Sequence, residues 1–486
     1  MNQKKLSNKS IIAFAIGDFY GGGAFFVIGA LFLIFLTDVG GLTPTRAGLI
    51  ILIGKLWDAV TDPTMGYISD HTKSKYGRRR VYFLYGIIPI IISFALLWVK
   101  IQTDLALVRF AYYLLTYLIF NSVFTMVMIP YNSLPAEMTD DYRERSKLVG
   151  TRLLFSQIGV LAGALLPLTI IKLFENEAIG FMVMGSIFGV LYGLPWFFVF
   201  KKTWEKNSQV KARQSLTLKT ELSLILKQFF STMKNKSFRI HTVMFICAYV
   251  SLDIFNALLL FYLRDYLGKD AYYQVILGVV VLLNMVALFF VTKECSRIGN
   301  ARTYRRHVLI WMIGVLLIGL AVPKTPIIIL FIIAGVIGIG LSGGVMIPYN
   351  MLAFVIDVDE LISTERREGT YAGMMTFIRK IAQAIALFLV GVGLDLVGYK
   401  SGIVLADATV NGIRLLFMVI PIVLLIAGFI TSYQFKLNPA NHQKLIKEID
   451  RLKVGGSKEE VDCLTKEICE EISGVNYNQL WEVKQL

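Results

Sequence analysis

Charged residues are scarce in this chain. Asp, Glu, Lys and Arg make up 17% of its 486 residues, whereas 56% are hydrophobic and the mean hydropathy is +0.63. A soluble domain carries about 25% charged and about 45–50% apolar residues, so there is too little polar surface here to surround one water-facing core. A soluble enzyme is excluded. Cysteine is nearly as rare. Its four copies are Cys247 in an apolar stretch, Cys295 in a polar one, and Cys463 and Cys469 near the end, which gives neither a disulfide framework nor zinc-ligand spacing. The apolar stretches also lack a nucleophile–base pair and a metal motif, which argues against an intramembrane enzyme. A secretory leader is missing too. The first apolar stretch follows Lys4, Lys5 and Lys9, outruns the roughly 7–15 residues of a signal core and has no small-residue cleavage site, so it reads as a retained span.

Long apolar sequence is abundant. A membrane-crossing helix needs roughly 20 mostly apolar residues, and twelve such stretches occur, at about 11–37, 42–69, 81–99, 105–134, 148–172, 179–200, 240–263, 272–292, 307–322, 326–354, 371–397 and 410–435. The net charge of +15 could fit a nucleic-acid surface, but its distribution does not. Of the 49 Lys and Arg, 36 lie before the first span, in connections after even-numbered spans, or in the tail. Basic residues mark the cytoplasmic side. The expectation is an all-α, multi-pass protein of the plasma (inner) membrane with both termini cytoplasmic, surrounded by lipid and binding no nucleic acid.

Residues 201–239 form the longest polar interruption and divide the chain into two six-helix bundles, 1–200 and 240–437, followed by a cytoplasmic helical tail, 438–486. In the linker, Leu222, Ile225, Leu226, Phe229 and Phe230 recur at helical spacing, as in an amphipathic helix lying on the inner face. The halves repeat each other. Met128-Ile129-Pro130-Tyr131-Asn132 returns as Met346-Ile347-Pro348-Tyr349-Asn350, 218 positions on, and Gly77 before Arg78-Arg79-Arg80 returns as Gly299 before Arg302, Arg305 and Arg306. Two parallel six-helix repeats around a central site are an architecture of secondary transporters. In the tail, Leu445, Ile446, Ile449 and Leu452 make one apolar stripe. Ser457 with Glu460 reads as a capping box for a second helix whose apolar face is Val461, Leu464, Ile468 and Ile472; packing against the inner ends of the spans is expected.

Charges inside spans are expensive and therefore informative. In the second span Lys55, Asp58 and Asp62 share one helix face, and each costs about 2.5–3.5 kcal/mol to insert at a helix centre. Two such carboxylates can ligate a small cation or share a proton; a Lys55–Asp58 ion pair is the structural alternative. Asp18 precedes Gly21-Gly22-Gly23 in the first span, where it can accept hydrogen bonds from sugar hydroxyls. Arg152 stands in the fifth span, and Thr376, Arg379 and Lys380 open the eleventh. Adjacent helix residues point about 100° apart, so Lys380 is assigned to the cavity and Arg379 to the inner interface. Asp70 with Arg78, Arg79 and Arg80 forms a candidate conformational latch in the connection after the second span.

These residues resemble the major facilitator superfamily and, within it, the glycoside-pentoside-hexuronide:cation symporters that include the melibiose permease. The loop Gly66-x-x-x-Asp70 with Gly77-Arg78-Arg79-Arg80 is similar to the superfamily signature, and Trp57-Asp58-Ala59-Val60-Thr61-Asp62-Pro63 resembles the family's cation-site stretch. Gly17-Asp18, Ile129-Pro130-Tyr131 and Asp357 through Glu360 to Arg366-Arg367-Glu368-Gly369 match in order. The resemblance implies Asp58, Asp62 and Thr125 as ligands of a monovalent cation, Na+ or H+, with no other cofactor. It also implies Asp18, Arg152, Thr376 and Lys380 as substrate-facing groups, with Asn132 where the permease has Trp. Met128 replaces the permease's acidic residue and Phe354 an Asp found in many relatives, which argues against a melibiose-like disaccharide. The expectation is a monomeric symporter of a sugar or glycoside. Its rivals are a cation-coupled transporter of an amphiphile such as a lysolipid, and a non-transporting solute sensor that signals through the tail.

Overall fold

A computed structural model describes residues 6–139, 141–205 and 230–481, and their regular structure is entirely helical. Ten helical segments are long and apolar enough to cross a membrane. The other two of the twelve transmembrane helices depart from that composition or length. The second span, Pro44–His71, carries Arg46, Lys55, Asp58, Asp62 and Asp70, and the third breaks at Gly86 into Arg80–Tyr85 and Ile87–Leu96. Linker residues Leu222, Ile225, Leu226 and Phe229 lie outside the described residues, while Phe230 is exposed.

The first span is built in pieces that set up the site. Ser7 caps Asn8–Ala15 by accepting a bond from the Ser10 N–H at 3.2 Å. The helix then breaks at Gly17, so Asp18 opens a second piece, Asp18–Ile34. A Cβ on Gly22 would sit 2.2 Å from Ser156 Oγ, and one on Gly159 would sit 2.4 Å from the Phe19 carbonyl. The missing side chains let the fifth span lie directly on the first, which carries Arg152 to Asp18. A Cβ on Gly54 would sit 2.2 Å from the Tyr117 ring, so the second and fourth spans make an equally close approach.

The chain divides into two compact units that do not follow the sequence halves. One comprises Met1–Arg213, Asn256–Val281 and Ala384–Leu416; the other Gln214–Phe255, Leu282–Gln383 and Phe417–Leu486. The repeat reappears in backbone detail. The first and seventh spans each end in a five-residue π-helix, Phe35–Val39 and Tyr262–Tyr266, in which Leu36-Thr37-Asp38 and Leu263-Arg264-Asp265 lie 227 positions apart. Gly77 and Gly299 both adopt positive φ, +101° and +84°, a conformation glycine takes at little cost.

The tail belongs to the second unit and docks on the tenth span, Ile327–Ser363. Leu445, Ile449 and Leu452 of Pro439–Lys453 are buried. Around them Lys453 Nζ meets Glu360 at 2.6 Å, His442 Nε2 meets Asp357 at 2.8 Å and Ser237 donates to the Ile472 carbonyl at 2.6 Å. The expected capping box is corrected. Ser457 accepts from the Glu459 N–H and starts only the short turn Lys458–Glu460, whereas the helix Cys463–Ser473 is capped by Asp462, which accepts from the Thr465 N–H at 2.9 Å. The register follows that cap: Ile468, Cys469 and Ile472 point inward and Leu464 is exposed. Burial pushes the Cys469 thiol up to about 12, which keeps it protonated.

Candidate functional site

The second span places three charges along one face, and the fourth span supplies their neighbour. Lys55 and Asp58 are buried, with Nζ 3.6 Å from Asp58 Oδ2. Lys55 also lies 3.9 Å over the Phe25 ring. One turn on, Asp62 accepts a 2.8 Å hydrogen bond from Thr125, whose side chain is buried. This half-buried carboxylate and hydroxyl offer hard oxygen atoms of the kind a small monovalent cation takes.

Asp18 is 5% exposed. Arg152 reaches it side-on, Nε to Oδ2 at 3.0 Å and one terminal nitrogen to Oδ1 at 3.2 Å. The guanidinium lies 4.8 Å over Tyr131, whose hydroxyl is fixed by donating to the Phe14 carbonyl at 2.8 Å. Tyr131 is thus the fourth-span side chain that meets Arg152, while neighbouring Asn132 is exposed.

Thr376 and Lys380 stand in the second unit. Thr376 is exposed and its hydroxyl donates to the Ala372 carbonyl of its own helix at 2.9 Å; Lys380 is half-buried. Arg379, for which an inner-interface role is expected, pairs with Asp253 of the seventh span, at 2.7 and 2.9 Å. Sequence reading passed over Asp253, although a lone acid in an apolar stretch is the same signal that marks Asp18.

At the end of the bundle where the chain begins, the latch residues form a clamp within the first unit. Arg79 bonds Asp70 at 2.6 Å and Glu137 at 3.1 Å, and Arg78 bonds Glu137. Glu205 accepts from the backbone N–H groups of Arg78, Arg79 and Arg80 at 3.0, 3.0 and 2.6 Å, while the Arg80 guanidinium donates to the Phe200 carbonyl at 2.5 Å. The clamp therefore joins the connections after the second and fourth spans to the start of the 201–239 linker, and Glu137 and Glu205 are members that the motif alone does not reveal. The second unit holds a comparable cluster. Arg367 grips Asp359 at 2.5 and 2.8 Å, and Tyr371 donates to the same carboxylate at 2.8 Å. The bond to Asp359 raises the Arg367 pKa above its ordinary value.

At the opposite end, the π-helix charges meet within the first unit. Arg264 holds Asp38 at 2.5 Å and Asp265 at 2.8 Å. Tyr399 donates to Asp38 at 2.7 Å and accepts from Arg264 at 2.8 Å. Burial, reinforced by the Asp38 charge, raises the Tyr399 pKa, so the phenol keeps the proton it donates. Asp395 accepts from the Thr45 N–H at 2.8 Å close by in sequence. A cavity of about 420 Å3 borders this cluster, with Ile34, Phe181 and Leu260 among its apolar walls.

Comparison with known proteins accounts for nearly the whole chain. The family described as MFS/sugar transport protein matches residues 13–439. The uncharacterized symporter YjmB of Bacillus subtilis (strain 168) is 28% identical over 457 residues, covering 92% of this chain and 96% of that protein. The glucuronide carrier protein homolog of Escherichia coli (strain K12) is 27% identical over 461 residues, covering 93% and 97%. The crystal structure of the nucleoside transporter NupG superimposes with a TM-score of 0.62 at 14% identity, over 88% of this chain and 100% of that one, which speaks to the fold alone. A match that runs through both repeats, in a fold shared with solved transporters, leaves one conclusion: this multi-pass membrane protein belongs to the MFS/sugar transport protein family of the major facilitator superfamily and is a transporter of small molecules, not an enzyme.

Proposed function

We propose that the chain is a secondary active transporter that couples inward movement of a glycoside, pentoside or hexuronide to a monovalent cation, Na+ or H+, by alternating access. Asp58 and Asp62, with the Thr125 hydroxyl, hold the cation; Asp18, Arg152, Thr376 and Lys380 serve the sugar, with Asn132 on the approach. No other cofactor takes part. The protein works as a monomer in the lipid of the plasma (inner) membrane with both termini in the cytoplasm, the orientation that its basic connections favour. Asp70 with Arg78, Arg79 and Arg80 then acts as an inner latch, and Asp38, Arg264 and Tyr399 tie together the outer ends of the first, seventh and eleventh spans while the outside is closed. Because binding of cation and sugar is linked in symport, each raises the other's affinity by the same factor.

The observation that carries this reading is the Asp62–Thr125 contact at 2.8 Å, one helical turn from buried Asp58. Names among the relatives, symporter and glucuronide carrier homolog, support it. The test is uptake into reconstituted vesicles of a panel of methyl glycosides, pentosides and uronides under an imposed Na+ or proton gradient. Gradient-driven accumulation is expected in the natural protein and its loss in Asp58→Asn and Asp62→Asn. Undiminished ion stimulation in both variants would overturn the assignment.

A further inference from the structure

The seventh and eleventh spans contain a receptor for a carboxylate, and the chain fills it with its own. Two hydrogen bonds and an ion contact converge on Asp253: Arg379 donates from one terminal nitrogen to Oδ1 at 2.9 Å and brings the other within 2.7 Å of Oδ2, off hydrogen-bonding geometry, and Gln383 donates to Oδ1 at 3.0 Å. Tyr249 lies under the guanidinium at 4.8 Å. The side chains of Asp253 and Arg379 are 10% and 19% exposed. Both terminal nitrogens face the carboxylate, one hydrogen-bonded and one in ion contact, an arrangement suited to a planar anion, and an amide donor adds a second hydrogen bond.

The first half treats its arginine the same way. Arg152 lies 227 positions before Arg379, on the equivalent span, and rests over a tyrosine ring at the same 4.8 Å. It is neutralised by Asp18 from the first span, as Arg379 is by Asp253 from the seventh. Both halves therefore present a guanidinium whose charge is already met by a carboxylate of the chain. An incoming sugar acid would have to turn Asp253 away from Arg379 and Gln383 and leave that carboxylate buried beside a second negative charge, which is heavily penalised. A neutral sugar faces no such exchange. Its hydroxyls can accept from the unused N–H groups of the guanidinium and donate to the carboxylate.

We propose that Asp253 is a specificity-determining residue: by occupying the Arg379–Gln383 receptor it excludes acidic sugars, so that the intact carrier takes neutral glycosides and pentosides. The inference rests on the symport reading and narrows its substrate class. The probes are methyl β-D-xyloside, methyl β-D-glucoside and methyl β-D-glucuronide, one ring carrying hydrogen, hydroxymethyl or carboxylate at a single carbon. In vesicles bearing the natural protein, uptake of the better neutral sugar is expected to exceed that of the glucuronide at least tenfold. Asp253→Asn, which keeps the shape and removes the charge, should raise the glucuronide-to-neutral ratio at least tenfold, and Asp253→Asn with Arg379→Gln should cancel that gain. Equal uptake of glucuronide and neutral sugar by the natural protein overturns the inference, and this holds even if the variants do not fold. A ratio unmoved in folded Asp253→Asn also overturns it. Failure of all three sugars to enter sinks the symport reading itself and takes the inference with it.

Discussion

Asp62 and Asp18 are both carboxylates of the first unit, drawn into contact by close helix approach, yet one contact of each differs in kind from that of the other. Thr125 offers Asp62 a hydroxyl dipole at 2.8 Å; Arg152 offers Asp18 a full positive charge at 3.0 Å. A guanidinium stays protonated in proteins, so Asp18 is neutralised in every state that keeps the pair. A hydroxyl brings no charge and can turn its oxygen lone pair toward a cation instead of its proton toward the carboxylate. Lys55 beside Asp58 is intermediate, with a longer contact of 3.6 Å and an ammonium on a flexible stem. Sites built with Thr or Lys can exchange their partner for a travelling ion. On the proposed reading, sites built with Arg serve as fixed frames on which neutral hydroxyls are read.

This contrast makes two strong demands. Asp62→Asn removes the charge that a cation needs, and gradient-driven accumulation in vesicles should fall about 100-fold, equivalent to about 2.7 kcal/mol. Sugar exchange without a gradient should survive. Arg152→Lys keeps charge but loses the planar fork, so the apparent affinity for the transported glycoside should fall about tenfold, as expected for losing a hydrogen bond to a charged group. The ion concentration for half-maximal uptake should stay within about twofold. If Arg152→Lys moved the ion dependence as far as it moves the sugar dependence, the division between ion frame and sugar frame would be wrong. Thr125→Val tests the hydroxyl directly. Its loss should raise the half-saturating ion concentration about tenfold, and Thr125→Ser, which retains the oxygen, should restore most of it.

How far these features could be seen in the sequence follows from what each costs. Apolar runs of membrane length revealed the spans, and charges within them revealed Asp18, Asp58 and Asp62, because an ion in an apolar helix is expensive enough to need a reason. The same rule covers Asp253, whose partner Arg379 lies 126 positions away, too far for local pattern to join them. Thr125 and Thr376 carry no such mark. A hydroxyl in a helix satisfies itself on the preceding turn, as Thr376 does with Ala372, so only family resemblance pointed to them. The paired π-helices were hidden for another reason: one extra residue per turn changes register without changing composition, and Asp38 and Arg264 sit at span ends, where charges are ordinary. In the tail, Ser457 and Asp462 are both competent caps, and local pattern does not decide which one begins the longer helix.

The smallest expected effect concerns the π-helix cluster, where sequence gave least warning. Asp38 is shared by Arg264 and Tyr399, and Arg264 keeps a second anion in Asp265, so removing the phenol hydroxyl leaves both ion pairs in place. Tyr399→Phe deletes one hydrogen bond on each side of the phenol while the Arg264–Asp38 pair remains. With the ion pairs intact and water free to replace the hydroxyl, a net difference of about 1 kcal/mol between the two states is expected, or about a fivefold shift between outside-closed and outside-open populations. If the cluster closes the outside, the open fraction rises, and because apparent affinity scales with the competent fraction, external glycoside should bind up to about fivefold more tightly in right-side-out vesicles. Arg264→Gln takes from Asp38 and Asp265 the cation they share and should move affinity in the same direction and much further. Weaker external binding in both variants, with normal protein levels, would mean that the cluster shapes the outer entrance instead of closing it.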